Sequence, residues 1–304
     1  MSDNKSILKG VILVGLGATS YGMLATFVKL AYQDVGSAGL PYTPAEVISS
    51  QFALGIAALL LLNVFRTAKS DESKPSKIDI RQLLVAGTST GLTSIFYYLA
   101  VKFIPVSIGI VLLMQTVWMG VLLEMVLDRK RPSGIKIAAV FIVLVGTGLA
   151  TNLIGNTNGL DWRGVVLGLL AAASFTTTMF TANRIALGVS STQRSLYMLF
   201  GGAVVVVIFA LATQHTPFNF DIFYKWGIVL ALFGTIIPPM LLNSGFPKTG
   251  IGLGSIVSAL ELPVSVTMAW LLLDEKVSGL QWFGIALILS AIVAMNVNFG
   301  RKHS

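Results

Sequence analysis

The chain has 304 residues, 55% of them hydrophobic and only 11% charged, with a mean hydropathy of +0.82 and a formal net charge of +8. A soluble domain carries roughly 25% charged residues, so this chain cannot cover a water-facing surface and its main solvent is lipid. It has no Cys and only two His, His215 in a polar loop and His303 at the tail; that excludes disulfides, thiolate catalysis, Cys-based metal sites and imidazole chemistry inside a membrane.

A membrane-crossing helix needs about 20 mostly apolar residues. The sequence predicts ten such spans, at 8–32, 44–65, 82–103, 105–127, 134–153, 163–186, 192–213, 223–246, 250–273 and 279–298. The first is too long for a cleavable signal peptide and contains Lys29. It carries Tyr21 and a stripe of small residues, Gly15, Thr19, Gly22 and Thr26, that lets backbones approach closely in lipid. The second contains the amide of Gln51. The loop from Arg66 to Arg81 is polar and carries no recognisable chemistry. The third carries Phe96-Tyr97-Tyr98 and joins the fourth through Ile104-Pro105, as expected where Pro opens a helix.

The fourth span holds Gln115 and Trp118, with Glu124 one turn before Asp128-Arg129-Lys130, an arrangement that reads as an interfacial ion pair. The sixth has a second small stripe, Ser174, Thr178 and Ala182. The eighth contains Asn243 and Pro238-Pro239, where the helix is expected to end or kink because Pro lacks a donor and clashes one turn back. Gly250 to Gly254 reads as a flexible lead-in to the ninth span, not a nucleotide loop, since no strand precedes it and no Lys-Ser/Thr follows. The ninth span then carries Ser258, Glu261, Pro263 and Ser265.

Basic residues are sorted by side, which argues for membrane topology and against nucleic acid as the meaning of the positive charge. With the N-terminus inside, Lys29, Lys102, Arg163, Lys225 and Lys276 fall outside, and the other sixteen of the 21 Lys and Arg fall on the cytoplasmic side. Both termini are expected in the cytoplasm.

The chain is also written twice. Residues 97–130 and 243–276 align without a gap, placing Lys102 on Lys248, Ile110-Val111 on Ile256-Val257, Gln115 on Glu261 and Leu127-Asp128 on Leu273-Asp274. Five spans is an odd number, so the second half enters the membrane in the opposite sense. The expected halves are residues 1–155 and 156–304, related as inverted repeats. In such proteins the halves rock about a site at their interface.

Glu261 is the sharpest candidate for that site. It lies about 11 residues into the ninth span, roughly 16 Å deep, where a carboxylate costs about 2.5–3.5 kcal/mol on insertion scales. Ser258, Glu261, Ser265 and Met268 share a helical face. Two readings are open: Glu261 binds a substrate ammonium or exchanges a proton, or it is protonated and fixes helix packing. Gln115 is its counterpart, on a face with Ser107, Val111, Met114 and Trp118, whose indole either stacks on substrate or packs the core. Tyr21, Tyr97, Tyr98, Gln51 and Asn243 are cavity candidates, with interhelical hydrogen bonding as the alternative. Pro238, Pro239 and Pro263 are candidate hinges or fixed kinks. Lys29, Lys102, Arg184 and Lys248 lie near span ends and read as snorkelling to headgroups.

Taken together, these residues resemble the drug/metabolite transporter superfamily, in its ten-helix EamA-type branch. The first span ends Ser20-Tyr21-Gly22…Phe27-Val28-Lys29-Leu30-Ala31, echoed by Ala182-Asn183-Arg184-Ile185-Ala186. The ninth has Glu261, an aliphatic run, and Glu275 before Ser278-Gly279-Leu280-Gln281-Trp282-Phe283-Gly284. The chain departs from the pattern in that Pro263 is one residue away from its usual place beside the Glu, and Gln115 and Arg129 stand opposite Glu261 and Glu275. The resemblance spans essentially the whole chain and is strongest to YddG-type exporters of amino acids, aromatic ones included.

It implies an all-α integral membrane protein with ten helices in two inverted five-helix repeats around a central cavity. It further implies a secondary or facilitative exporter of amino acids and amphiphilic metabolites in the inner membrane. Efflux of cationic drugs is the alternative, since it would use the same acid and aromatics. A membrane enzyme would need paired carboxylates or a nucleophile–base set at one depth, and none is visible. No catalytic residue, metal site or cofactor is expected; the expected partners are lipid and a small-molecule substrate, and the expected state is a monomer.

Overall fold

The structure, a computed structural model, describes residues 2–37, 39–67, 75–127, 129, 132–150, 161–182 and 184–297. The expected boundary at residues 155 and 156, Asn183, the Asp128 and Lys130 partners of Glu124, most of the polar loop and the basic tail lie outside the described residues. Among the described residues twelve α-helices follow in order: α1 Ser2–Gln33, α2 Pro44–Thr67, α3 Lys77–Phe103, α4 Val106–Leu113, α5 Thr116–Leu127, α6 Gly134–Ala150, α7 Trp162–Ala182, α8 Ser191–Thr213, α9 Ile228–Leu230, α10 Ile237–Ser258, α11 Glu261–Leu272 and α12 Gly279–Val297. The short α9 sits between π-helical turns at Phe223–Gly227 and Ala231–Ile236. Seven segments are long and apolar enough to cross a membrane, and three shorter apolar helices complete the ten predicted spans.

Local chemistry explains the ends. Ser76 and Asp79 form a capping box at α3: Asp79 N donates to Ser76 Oγ at 3.1 Å and Ser76 N to Asp79 Oδ2 at 3.0 Å. At the far end Ile104 is extended (φ −126°, ψ 158°), because Pro105 bars the residue before it from helical geometry.

Three features of the spans differ from expectation. The fourth span, expected as one helix, is broken at Met114-Gln115 into α4 and α5. The ninth is broken likewise at Ala259-Leu260, one residue out of register with the sequence alignment. The expected lead-in at Gly250 to Gly254 is helical, and α10 runs unbroken from the eighth span into the ninth. The reason lies in one residue: the repeat partner of Pro105 is Ile251, which keeps its N–H and imposes no bend. The helix does not end at Pro238-Pro239: π-helical geometry at Ala231–Ile236 gives way to α at Ile237, directly before them, and the helical run continues.

The two repeats interlock. The dominant helix pairs are α1 with α10 and α11, α3 with α7 and α8, α2 with α8, and α6 with α12, and every one joins the first half to the second. The pairs come in counterparts: α1 packs on α10 as α7 packs on α3 and α4, and α1 on α11 as α7 on α5. The halves are therefore not separate bodies that could rock against each other, as the repeat alone suggested. Both small-residue stripes are crossing points. A Cβ at Gly22 would stand 2.8 Å from the Glu261 carbonyl oxygen on α11, and Thr178 on α7 meets Ser89 of α3 hydroxyl to hydroxyl at 2.7 Å. The closest crossing is α3 on α8, where Gly87 abuts Met198, Gly201 abuts Leu84, and Gly91 abuts Gly202. Large apolar side chains point outward, Leu211 at 80% exposure among them, as a lipid-solvated surface requires.

At one end, two loops are stitched together by acids. Glu46 accepts from Thr43 N at 2.8 Å, Asn219 N at 2.8 Å and Gln214 Nε2 at 3.2 Å. Asp34, just past α1, accepts from Trp226 Nε1 at 2.8 Å and Val35 N at 2.8 Å. The Trp226 indole and the Val35 amide hold the Asp34 carboxyl below the usual carboxylate range.

Two outcomes are expected. Gly201→Val forces a side chain into the α3 backbone and should lower stability by about 1–3 kcal/mol, read as a fall in Tm in detergent. Gly120→Ala, where no atom lies within 4 Å, should not lower it. A depressed carboxyl adds stability that is complete above its ordinary pKa of about 3.9 and is lost as pH falls through the lower folded value. Asp34→Asn should therefore flatten part of the fall in Tm below about pH 4 and leave the neutral range parallel to the parent.

Candidate functional site

A helix interrupted inside a bilayer releases carbonyls and amides that hydrocarbon cannot satisfy. In the first repeat Gln115 solves this locally. Its backbone N–H turns to Leu112 O at 3.0 Å, and its side-chain Nε2 takes the vacated Val111 O at 3.1 Å. The same Nε2 reaches Thr147 Oγ1 on α6 at 2.6 Å, and Oε1 accepts from Trp118 Nε1 at 3.0 Å. Both polar functions of Gln115 are thus engaged within the protein, and Trp118 serves as its donor.

In the second repeat the solution is different. Pro263 lies in the first turn of α11 and has no N–H to offer Ala259 O, which accepts from Leu262 N at 3.1 Å instead. Leu260 N turns to Val257 O at 3.2 Å. Both of these turns are closed by backbone bonds. Glu261, the first residue of α11, is left free for other work, in the first turn where the helix dipole favours a negative group.

Glu261 is 7% exposed, and its carboxyl has no hydrogen-bond or ion-pair partner among the described residues. The phenols of Tyr21 on α1 and Tyr97 on α3 lie within its electrostatic reach. Tyr97 Oη and Ser265 Oγ face one another without meeting hydrogen-bond geometry, and each is buried and unpartnered. Ser20 and Thr26 of α1 add two more buried hydroxyls without partners. Tyr21 stands edge-on to Phe175 of α7, with ring centroids 6.3 Å apart and planes at 86°. Glu261, Tyr21, Tyr97 and Ser265 therefore form one group, drawn from α1, α3 and α11.

The other expected site residues fall elsewhere. Tyr98 donates to the Gln51 amide oxygen, while Thr235 Oγ1 donates to Gln51 O at 3.3 Å, so Gln51 ties α2 to α3 and to the π-helical turn. Asn243 donates to Ser195 Oγ at 2.8 Å and joins α10 to α8. Ser258 closes α10. A lateral groove of about 640 Å³ between α3 and α7 is lined by residues such as Ile78, Arg81, Val85 and Thr181, and includes none of the expected site residues.

Three charged residues have contacts that span counting does not reveal. Lys29 is half-buried and gives Nζ to Val101 O at 2.5 Å and Ile104 O at 3.5 Å, at the end of α3. Arg194 is 2% exposed and caps the end of α7 through Ala182 O. Glu275 accepts from Val106 N at 2.7 Å, Ser107 N at 3.0 Å and Ser107 Oγ at 2.7 Å, at the start of α4. Read as interfacial or topological charges, Lys29 and Arg194 are in fact helix-end caps. A cation placed beside a chain terminus of a helix is the general signal, but which helix it meets depends on tertiary packing.

Comparison with known proteins agrees with this architecture. The model of a family described as EamA-like transporter family matches residues 8–152 and again 162–297. A solved structure titled "Crystal structure of protein" superposes with a TM-score of 0.67 over 99% of this chain and 99% of its own, at 15% identity, which speaks to fold alone. A search of curated proteins returned no match.

Gln115→Ala would orphan the Val111 carbonyl and the Trp118 indole inside the bundle. The expected cost is about 1–3 kcal/mol per buried group left unsatisfied, seen as a lower Tm, whereas Gln115→Glu should cost most of that too because it loses the donor.

Proposed function

The chain belongs to the EamA-like transporter family, and on that premise we propose that it exports amino acids, aromatic ones included, and related metabolites by alternating access. The observation that carries this reading is the unpartnered carboxyl of Glu261, buried at a helix break beside Tyr21, Tyr97 and Ser265. A carboxylate that the protein itself leaves without a partner suits a cation brought by the substrate. A primary ammonium offers three donors, one for the carboxylate and others for the idle hydroxyls of Tyr97 and Ser265. The Tyr21–Phe175 pair offers an aromatic edge for an apolar side chain.

Discontinuous helices at equivalent places in two repeats are where carriers of this construction bind their substrates. On this reading Gln115 and Trp118 shape the opposite wall, Gln51, Tyr98 and Asn243 hold the helices around the site, and Pro263 and Pro238-Pro239 localise bending. The likeness to YddG-type exporters belongs to the same reading. So do the assignment of residues 1–155 and 156–304 to the two repeats, a location in the inner membrane with both termini cytoplasmic, action as a monomer, and transport as the sole activity.

Counterflow in proteoliposomes tests it. Vesicles loaded with unlabelled amino acids should accumulate a labelled one from outside with no ion gradient. Glu261→Gln should reduce that exchange roughly tenfold or more, the scale of one lost charge-assisted hydrogen bond, while Tm stays near the parent's. Unchanged exchange would remove Glu261 from the site. Efflux of cationic drugs would use the same acid and phenols; competition by an organic cation, with none by amino acids, would favour it.

A further inference from the structure

Two charged side chains grip one corner of the bundle from opposite sides. The corner is Ile104-Pro105, where α3 ends and α4 begins. Lys29 approaches the α3 end and donates to the carbonyls of Val101 and Ile104. Glu275 approaches the α4 start and accepts the amides of Val106 and Ser107 and the Ser107 hydroxyl. The polarities suit the helix ends they meet, a cation on terminal carbonyls and an anion on terminal amides.

Lys29 is on α1 and Glu275 follows α11, which packs on α1 along with α10; α3 packs on α7, and α4 packs on both α7 and α11. The grip thus ties α1 and the end of α11 to the corner between α3 and α4. Glu275 is aimed by the turn before it. Asp274 has φ +53°, and Glu275 N reaches back to Ala269 O at 3.3 Å.

Among the described residues the Glu275 half of the grip has no counterpart at the other end of the repeat pair, for two independent reasons. Glu275 is replaced in the first repeat by Arg129, which is exposed and, being a cation, cannot accept from amides. In addition, the counterpart of the Ile104-Pro105 corner is continuous helix in α10, so no helix start with free amides exists there.

We propose that Glu275 and Lys29 are positioning residues that latch shut the end of the bundle where α1 and α3 terminate, biasing the carrier toward opening at the end where the chain begins. The latch rests on the alternating-access reading for its role, but its existence is a matter of conformation and can be measured without transport. The chain has no Cys, so Gln33→Cys and Lys102→Cys, at exposed positions ending α1 and α3, give a clean spin-label pair across the latched end.

Pulsed electron–electron distance measurement in nanodiscs should give a single short distance for the parent. With Glu275→Gln or Lys29→Gln added, a longer-distance population should appear, with the open-to-closed ratio raised roughly tenfold or more. An unchanged distribution in both variants, each monodisperse, overturns the latch. Should Glu275→Gln fail to fold, Ser107→Ala and Lys29→Gln are read by the same two outcomes. Counterflow on the parent separates the readings: longer distances without exchange keep the latch and sink the carrier function, whereas exchange without any change in distance does the reverse.

Discussion

Hydrocarbon offers no hydrogen bonds, so every backbone group released within the bilayer has to find a partner inside the protein. This constraint explains most of what is unusual about the molecule. Two spans are interrupted at their middles, and each interruption would leave amides and carbonyls bare. In the first repeat a side chain mends the gap: Gln115 hands its backbone N–H to Leu112 O and covers Val111 O with its amide. In the second, Pro263 removes a donor and backbone bonds close the turn. The two positions descended from one place in a repeat, but one is occupied with holding structure and the other is left with an idle carboxyl.

The same rule governs the helix ends. Lys29 on the end of α3, Arg194 on the end of α7 and Glu275 on the start of α4 are charges placed where backbone polarity is unpaired. In water these ends would be hydrated. In a bundle they become contacts between neighbours, and they are the natural places for contacts that differ between conformations. Because the main helix pairs each join one repeat to the other, the N-terminal and C-terminal halves are not separately packed units.

Much of this was legible in the sequence. Hydropathy located all ten spans, because lipid imposes a length and a composition on each. The repeat showed that Gln115 and Glu261 were counterparts, and depth alone singled out Glu261. The positions of the helix breaks were not legible, because Met114-Gln115 and Ala259-Leu260 are good helix formers; the first turn depends on where the Gln115 amide sends its bonds, and for the second the sequence offered only Pro263, three residues on, as a hinge or kink. The run of α10 through Gly250 was missed for the opposite reason: glycines suggest a loop, but without a counterpart to Pro105 nothing there forbids helix. Lys29 and Arg194 were read by their side of the membrane, since charge sorting is a property of sequence and the identity of the helix end that each one caps is a property of packing.

The interlocking of the repeats also has a consequence for how the protein is made. When α1 and α3 leave the ribosome, their principal partners, α10 and α11 for the one and α7 and α8 for the other, have not been translated. The first five spans must therefore wait in the lipid as individually stable helices, held in place by length, hydrophobicity and flanking basic residues. Their glycine-lined faces remain uncovered meanwhile. Assembly can close only after the last span is inserted, so the strong apolarity of each segment is as much a requirement of biosynthesis as of the finished carrier.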